Sequence, residues 1–486
     1  MTNYSADRLY ELLPAVYRQR DAELADGLGL KQGPLRDLIE IVARQAIVLE
    51  QDIFQLYENW FIETCEPWLV PYIGDLIGVR GTGGAGSRRA EVANTLGYRQ
   101  AKGTAAMLEQ LARDVTGWPA RVVEYFERLE TTQYANHIRP ANLRTPDLRR
   151  TNELELLGGP FETANHTAEV RRIAIEAGRY NIMNAGLFLW RLQAYPLEKV
   201  TPRPTLAPFT QPQSNFTFNV LGLDEPLFNA PAAEASASHI AEEINVPAPI
   251  RRRALNASLA SYYGKGLSLE IWPEWTPATG SQKPLDPLGP EDVVACDLTD
   301  WNRAHPDKVA VDPVLGRLSF PTAKDPAKVR VSYSYGFSDD LGGGSYRRDA
   351  SFTQIEGEGH FWVGLVDYPE RLPPDIQAFL FSTIQAALDA WKGLGKDQGS
   401  AVIEILDSAT YTEDLSIPLI PEKKRLEIRA ANEQRPALRL SKELLVEGEP
   451  GSRFELNGLL IAGGPVRVPA GDHLVGVRLQ HITLGP

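Results

Sequence analysis

Apolar residues recur at alternating steps of four and three along one stretch of the N-terminal region. The stretch follows Pro34, a residue suited to the first turn of a helix, and its apolar positions are Leu35, Ile39, Val42, Ala46, Leu49, Ile53, Leu56 and Trp60. This spacing is that of a heptad seam, and it predicts one helix of roughly 40 Å at ~1.5 Å per residue. We call these eight residues the seam; all of them except Ala46 are candidate interface residues.

Further apolar residues widen the same helix beyond the seam. They are Leu38, Ile41, Ile47, Val48, Phe54 and Tyr57. A helix with so broad an apolar surface is expected to contact more than one neighbour. Two interpretations stay open: a core helix of its own domain, or a helix in a bundle shared with other chains.

Two shorter helices are predicted after the long one, over residues 88–96 and 103–116. Gly117 suits the position after a helix end, and Pro119 prevents the helix from continuing. The next stretch, "ARVVEYFERL" (120–129), fits a strand or a short helix. These elements predict a helical N-terminal domain over residues 1–130.

The pattern changes to short alternating runs between residues 131 and 345. The runs "RRIAIEAGRY", "NFTFNVLGL", "LSLEIW" and "KVRVSYSYGF" are typical of strands, and proline-rich loops separate them. We expect an irregular β-rich middle domain here. Its last part, "SDDLGGGSYRRD" (338–349), is expected to be a hinge or linker. Residues 346–398 are assigned to a linker and an amphipathic helix with Ile376, Phe379, Leu380, Ile384, Ala387, Leu388 and Trp391 on one face.

A repeated triplet marks the C-terminal region, 399–486. Each copy places a charge between two apolar residues: Ile403-Glu404-Ile405, Leu426-Glu427-Ile428, Phe454-Glu455-Leu456 and Val477-Arg478-Leu479. The steps between copies are 23, 28 and 23 residues, which favours a parallel β-solenoid. Each turn is expected to bury its two apolar residues and to point its charge to solvent. The predicted fold is therefore multidomain α+β: helical, then β-rich, then solenoid.

Composition and charge exclude several classes of function. The formal charge of −13 argues against broad binding to a nucleic-acid backbone, which needs a basic surface. The N-terminus lacks the basic and apolar regions of a signal peptide, and the most apolar stretch, 68–79, is too short to span a bilayer and contains Asp75. Cys65 and Cys296 are the only cysteines, which fits a reducing compartment and excludes a cysteine-rich zinc site.

A glycine-rich loop raises the question of a phosphate site. Its glycines are Gly81, Gly83, Gly84 and Gly86. The Walker pattern is absent, because Gly86 is followed by Ser87 and Arg88 and not by a lysine and then a hydroxyl residue. Gly81, Gly83 and Gly86 match G-x-G-x-x-G, but the preceding sequence does not predict the β-α-β unit that this motif needs. We therefore expect a flexible loop and no cofactor, although phosphate binding here would indicate a nucleotide-dependent enzyme.

Other catalytic patterns are equally weak. H-E-x-x-H and G-x-S-x-G are absent, and His166 with Glu169 is interpreted as a polar feature at a helix start. Polysaccharide-cleaving enzymes do use β-solenoids, and Trp272 and Trp275 could stack on sugars. However, the triplet glutamates recur once per turn, as expected of a solvated face rather than of a single catalytic pair. A carbohydrate-binding or glycan-cleaving tail protein is therefore the alternative interpretation.

Several segments, in order, resemble a known family. "NWFIETCEPWLVPYIGDLIGV" followed by "RRAEVANTLGYRQAKGTAAMLEQLARDVTGWPARVVEYFERL" resembles the phage tail protein I family of baseplate wedge components. "HTAEVRRIAIEAGRYNIMNAGLFLWRLQAYPL" and "YGFSDDLGGGSYRRD" resemble the longer members found in phage-tail-like injection particles. The resemblance covers residues 9–197 and extends more weakly to about residue 349.

The resemblance implies a structural role without catalytic residues, cofactors or metals. A protein of this family joins two copies of a larger baseplate subunit in a wedge, and six wedges surround the spike and hub. The ring contacts the sheath-connecting baseplate protein and tail fibres. The resemblance implies assembly in the bacterial cytoplasm and a final location in the baseplate of a phage-tail-like particle.

The resemblance, taken together with the residues, leads to two local expectations. Arg99 and Lys102 of "YRQAKGT" are expected to pair with acidic neighbours. The loop containing Gly81 to Gly86 would provide slack when wedges shift, a hypothesis that prolines placed in the loop would test.

Overall fold

The structure is a computed structural model of the 486-residue chain. It describes residues 5–79, 88–142, 144–171, 177–205, 215–236, 239–275, 286–301, 306–321, 326–352, 359–364, 379–395 and 399–485. The chain divides into two compact units, Met1–Trp118 and Pro119–Pro486. The first is helical and the second contains the β-rich middle region together with a parallel β-solenoid, so the predicted fold class is confirmed.

The first unit is built from helices. They are α1 (Ala6–Glu11), α2 (Ala15–Leu28), α3 (Pro34–Glu58), α4 (Val70–Leu76), α5 (Arg88–Gln100) and α6 (Ala105–Thr116). Pro34 occupies the first turn of α3 as predicted, and the α3 helix ends two residues before Trp60. Gly117 ends α6 in the left-handed conformation, with φ +74°, because only glycine adopts it without a steric penalty.

The second unit begins with the β-rich region. Its elements are β1 (Ala120–Glu124), α7 (Thr151–Leu154), β2 (Ala185–Leu189), β3 (Gln193–Val200), β4 (Arg203–Pro204), β5 (Asn215–Thr217), α8 (Arg252–Ala257), α9 (Leu259–Tyr262), β6 (Leu269–Trp275), β7 (Val293–Ala295), β8 (Val309–Asp312), β9 (Arg317–Ser319) and β10 (Pro326–Phe337). β1 pairs with β2, and the other strands form sheets in the orders β3-β10-β6 and β4-β5-β9-β8-β7. "ARVVEYFERL" contains both elements that its pattern left open, the strand β1 and a following 3-10 turn.

The solenoid follows. Its elements are β11 (Gly359–Val363), β12 (Leu380–Phe381), α10 (Ile384–Gly393), β13 (Ala401–Ile405), β14 (Thr410–Thr412), β15 (Arg425–Ala430), β16 (Ala437–Arg439), β17 (Leu444–Leu445), β18 (Arg453–Asn457), β19 (Leu460–Ala462), β20 (Val466–Arg467), β21 (Gly476–Gln480) and β22 (Thr483–Gly485). About four turns lie between residues 401 and 485. One parallel face has the order β12-β11-β13-β15-β18-β21 and a second has the order β14-β16-β19-β22.

The second solenoid face joins the solenoid to the middle region. Side chains alternate across a strand, so one side of this face points into the solenoid and the other points outward. Leu438 and Ile461 lie in the solenoid core, whereas Ala437 and Leu460 belong to the apolar cluster of the middle region, with Tyr333. The outward side of this solenoid face is therefore part of the core of the middle region, which explains why the two regions form a single compact unit.

The four predicted triplets lie on β13, β15, β18 and β21. The apolar residues of the first three are buried as expected, whereas Val477 and Leu479 of the last are 36% and 46% exposed. The register differs from the prediction at one step. Ile403 aligns with Ile428 rather than with Leu426, so Glu404 lies beside Arg429. The later triplets align residue for residue, as in Leu456 with Leu479.

The expectation that every triplet charge points to solvent is wrong for three of the four. The Glu404 side chain is 16% exposed and forms an ion pair with Arg429. Glu427 and Glu455 are buried, with 1% and 6% of their surface exposed. The guanidinium of Arg425 lies 3.6 Å from the Glu427 carboxylate and 3.8 Å from that of Glu455. One cation between two carboxylates offsets the cost of burying them. Arg478, in the last triplet, is exposed as predicted.

The amphipathic helix before the solenoid is shorter than the stretch of apolar residues that predicted it. Ile376 lies outside the described residues, and Leu380 is in the strand β12, which pairs with Trp362 of β11. The helix α10 begins only at Ile384, because the Thr383 side chain accepts a hydrogen bond from the Ala386 N–H and caps it there.

The α10 helix closes one end of the solenoid core. Its Ile384, Leu388 and Trp391 side chains are fully buried, and they belong to the same apolar cluster as Ile403 and Leu426. The Trp391 indole N–H also donates to the Gly399 carbonyl at 3.0 Å. The predicted inward face of this helix is therefore the one that covers the first turns of the solenoid.

The segment expected to be a hinge, 338–349, is packed against the solenoid instead. Arg348 is 3% exposed and donates to the carbonyls of Gly344 at 2.7 Å and Ala431 at 2.9 Å. Tyr346 is hydrogen-bonded to His481 at 2.7 Å. Burial lowers the pKa of Arg348, yet its carbonyl contacts hold this cation in place. A segment fixed in this way does not act as a free hinge.

Candidate assembly surface

Five of the seven candidate interface residues are exposed in this chain. Trp60 is 83% exposed, Ile53 66%, Leu49 and Leu56 64%, and Val42 50%. Leu35, Ile39 and Ala46 are half-buried. Among the described residues, most of the seam is therefore left outside the packed interior of this chain. Exposed apolar residues of this number on one element mark an interaction surface.

The exposed seam is continuous with other apolar side chains on α3. Leu38, Ile41 and Val48 are also at least half exposed. At the 3.6-residue period of a helix, these residues and the exposed seam residues of α3 fall within an arc of roughly 140°. They form a broad apolar face along the helix, which we call the α3 face.

The opposite side of α3 is where the chain packs against its own helices. Ala43 and Glu50 are buried there, with 1% and 7% of their surface exposed. The Arg36 guanidinium forms an ion pair with Asp7 of α1 at 2.6 Å and lies over the ring of Tyr10 at 5.4 Å. The α1 and α2 helices thus support one flank of α3 and leave the α3 face uncovered.

The start of α3 is fixed by a carboxylate from α2. Gly33 precedes α3 and provides no side-chain cap. Asp21 replaces one, because its carboxylate accepts from the backbone N–H of Leu35 at 2.8 Å and of Arg36 at 3.1 Å. The Tyr10 hydroxyl donates to the same carboxylate at 2.9 Å. Desolvation raises the pKa of Asp21, but the Leu35, Tyr10 and Arg36 contacts outweigh it and lower the pKa overall.

The sequence indicated none of this capping. A cap is ordinarily the residue immediately before the helix, and Asp21 lies 14 positions before Leu35 in the chain. In the sequence, Asp21 is one acid among other polar residues of α2, and nothing in the pattern predicts that it is buried. Its role depends on how α2 folds back toward α3.

Three local expectations remain, and they concern the glycine loop, Arg99 and Lys102. Gly81, Gly83, Gly84 and Gly86 lie outside the described residues. Within the described ranges Arg99 forms no ion pair with an acid: its guanidinium donates to the carbonyls of Ile77 and Gly78, both at 2.7 Å. Lys102 is exposed and forms no ion pair in the described part of the chain. The expected acidic partners of both cations are absent among these residues.

The interpretation of His166 and Glu169 as a polar feature at a helix start is wrong. Neither residue lies in or next to a helix. His166 Nε2 lies 2.5 Å from the Glu162 carboxylate, and the His166 ring stacks on Tyr180 at 3.7 Å between centroids. Tyr180 donates to the other oxygen of Glu162 at 2.7 Å. Glu162 is 3% exposed, so this cluster holds neighbouring loops together and its carboxylate has no open side.

The three triplet glutamates of the solenoid are also engaged in ion pairs. Glu404 accepts from Arg429 at 2.6 Å and lies 3.1 Å from His360 Nε2. Burial raises the pKa of Glu404, but His360 and Arg429 outweigh it and lower the pKa below its ordinary value. A carboxylate kept ionised in this way is unsuited to be the general acid of a glycosidase. The Trp362 ring stacks on His360, and Trp275 packs against Phe320.

A metal centre, reactive thiols or a membrane-spanning helix would each indicate another functional class. Across the described ranges, no cluster of three or more His, Cys, Asp or Glu side chains could hold a metal ion. Cys65 and Cys296 are both buried free thiols. None of the described helices has the length and apolarity needed to cross a bilayer.

No protein-family model, curated protein or solved structure matches this chain. The functional interpretation therefore depends on the surfaces described above and on the resemblance given by the sequence.

Proposed function

We propose that this chain is a structural, non-enzymatic subunit of the baseplate wedge of a contractile phage tail or contractile injection system. The observation that carries the proposal is the exposed α3 face, with Leu49 and Ile53 about two-thirds exposed. A long helix that keeps its apolar seam free is suited to a helical bundle completed by other chains. The resemblance of residues 9–197 to phage tail protein I supports the same role.

The proposed partner of the α3 face is the larger baseplate subunit, with two copies for each copy of this chain. The breadth of the face favours more than one helix, because a single partner helix in a coiled coil covers only the narrow a and d positions. Neighbouring wedges, the sheath-connecting baseplate protein, the spike and hub, and tail fibres are the further proposed contacts. Assembly is proposed to occur in the bacterial cytoplasm.

Co-expression tests this proposal. The chain is produced with the larger baseplate subunit of the same gene cluster, and the mass of the purified complex is measured by native mass spectrometry. We expect one copy of this chain with two copies of the larger subunit. If the two proteins purify separately under conditions in which each is folded, the proposed function is wrong.

A further inference from the structure

A cavity of about 490 Å³ opens on the surface of the first unit. It is distinct from the α3 face, because the residues that line it lie just after α4, on α5, just after α5 and on α6. Its volume lies within the ~300–1,000 Å³ range of ligand-binding pockets. None of the roles proposed above uses it.

The floor of the cavity is apolar. Val79, Met107 and Leu111 line it, and all three are half-buried. Met107 and Leu111 are one helical turn apart on α6, so they form one continuous wall. Methionine adapts its shape to different apolar groups. This floor would accept one large aliphatic or aromatic side chain.

The rim of the cavity is cationic. Arg99 and Lys102 both line it. Arg99 is held in position by its hydrogen bonds to the carbonyls of Ile77 and Gly78, so its charge is fixed before any ligand arrives. Lys102 has no ion pair in the described residues, which leaves its ammonium group able to bind a ligand.

The α6 helix adds to the positive potential of this rim. Met107, in the first turn of α6, lines the cavity, so the positive end of the helix dipole lies at the same place. That first turn contains no acidic residue to offset the dipole. Tyr98, another lining residue, is engaged with Asp114, and burial first and this acid second raise its pKa. It therefore remains neutral.

One acidic side chain limits what the cavity can bind. Glu91 also lines it, and its negative charge opposes a dense polyanion such as a phosphate or a nucleotide. A single carboxylate next to an apolar group has less charge and matches both the rim and the floor. Such a pair of groups occurs where an acidic residue neighbours a large apolar residue in a peptide.

We propose that this cavity binds a short acidic peptide segment of a partner protein, with a carboxylate at Arg99 and Lys102 and a large apolar side chain on the Met107 and Leu111 floor. The chemistry of recognition is that of a charge-assisted contact beside an apolar anchor. The proposal does not depend on the baseplate role, because any partner with such a segment would satisfy it.

Peptide selection tests the proposal. Random short peptides displayed on a surface are selected against the full chain, and the enriched peptides are synthesised with a fluorescent label. Their dissociation constants are measured by anisotropy for the unmodified chain, Lys102→Glu, Met107→Ala and the control Lys31→Glu. Lys31 is an exposed lysine of the same unit outside the cavity, so its substitution matches the change in charge. Circular dichroism verifies that each variant is folded.

The expected result is a consensus with Asp or Glu beside a large apolar residue. Binding should weaken at least about tenfold in Lys102→Glu, weaken in Met107→Ala, remain unchanged in Lys31→Glu, and decrease with added salt. The proposal is wrong if no enriched peptide depends on Lys102, or if the consensus lacks an acidic residue. Displacement of the peptide by millimolar inorganic phosphate at constant ionic strength would instead indicate a small-anion site and would also overturn it.

Discussion

The Asp21 carboxylate accepts a hydrogen bond from the backbone N–H of Leu35 at 2.8 Å, and this contact fixes the first residue of the seam. The first N–H groups of a helix have no partner within the helix, and a carboxylate there also interacts favourably with the helix dipole. The start of α3 is thereby set by a side chain of α2. The orientation of the α3 face consequently depends on a contact inside the first unit.

Replacement of Asp21 should make the first unit less stable and less sensitive to acid. Asp21→Asn keeps the shape of the side chain but removes its charge, so the cap and the Tyr10 contact both weaken. We expect a lower melting temperature of the helical signal at neutral pH. Asp26→Asn is the matched control, because Asp26 is an exposed acid on the same helix.

The pH dependence follows from the direction of the pKa shift. The pKa of Asp21 in the folded chain lies below its ordinary value of 3.8. Its contribution is therefore complete above that value and is lost as the pH falls through the folded pKa. Between about pH 5 and pH 2 the unmodified chain should lose more stability than Asp21→Asn. Equal losses in the two proteins would show that Asp21 does not act as an ionised cap.

Two leucines at equivalent positions should differ sharply in their contribution to the solenoid. Leu456 and Leu479 are aligned in neighbouring strands, but Leu456 is 1% exposed and Leu479 is 46% exposed. Leu456→Ala should lower the free energy of unfolding by about 2–5 kcal/mol, because it leaves a cavity in a packed core. Leu479→Ala should have a much smaller effect. Urea unfolding measures both, and similar losses would contradict the described burial.

Arg348 and its neighbour Arg347 provide a test of whether the segment 338–349 is packed against the solenoid. The Arg348 guanidinium reaches several backbone carbonyls, among them those of Gly344 and Ala431, and a lysine ammonium group cannot replace this planar set of donors. Arg348→Lys should therefore cost about 3 kcal/mol, since a hydrogen bond from a charged group contributes ~1.5–3 kcal/mol. Arg347, with its side chain 74% exposed, is the control. Arg347→Lys should change the unfolding free energy by less than about 0.5 kcal/mol. A free hinge would make the two substitutions equivalent.

The sequence predicted those parts of the fold that depend on local periodicity. The step of four and three residues gave α3, and the repeated triplets gave the solenoid, because both patterns reflect which side of an element is apolar. The same patterns could not give the two-residue offset that places Glu404 beside Arg429. That register depends on the length and packing of the turns between strands.

The environment of charged residues was the least predictable part. Glu427 and Glu455 alternate with apolar residues, as charges on the solvated face of a strand do. Their burial depends on Arg425 and on chain segments distant in sequence. Leu380 matched a helical period, yet its neighbour in space is the strand β11. The apolar pattern predicted a broad apolar surface on the long helix, but only the structure shows that α1 and α2 leave most of the seam uncovered.

The most direct test of the account concerns Leu49 and Ile53. The chain with Leu49→Asp and Ile53→Asp is compared with Arg44→Asp, which changes the net charge by the same amount on the other flank of α3, where Arg44 has its side chain 72% exposed. Each is co-expressed with the larger baseplate subunit, and the complex mass and the melting temperature of the isolated chain are measured. The account predicts that the double variant stays folded and loses the complex, whereas Arg44→Asp retains it. A stable complex containing the double variant would contradict the claim that the α3 face is the assembly surface.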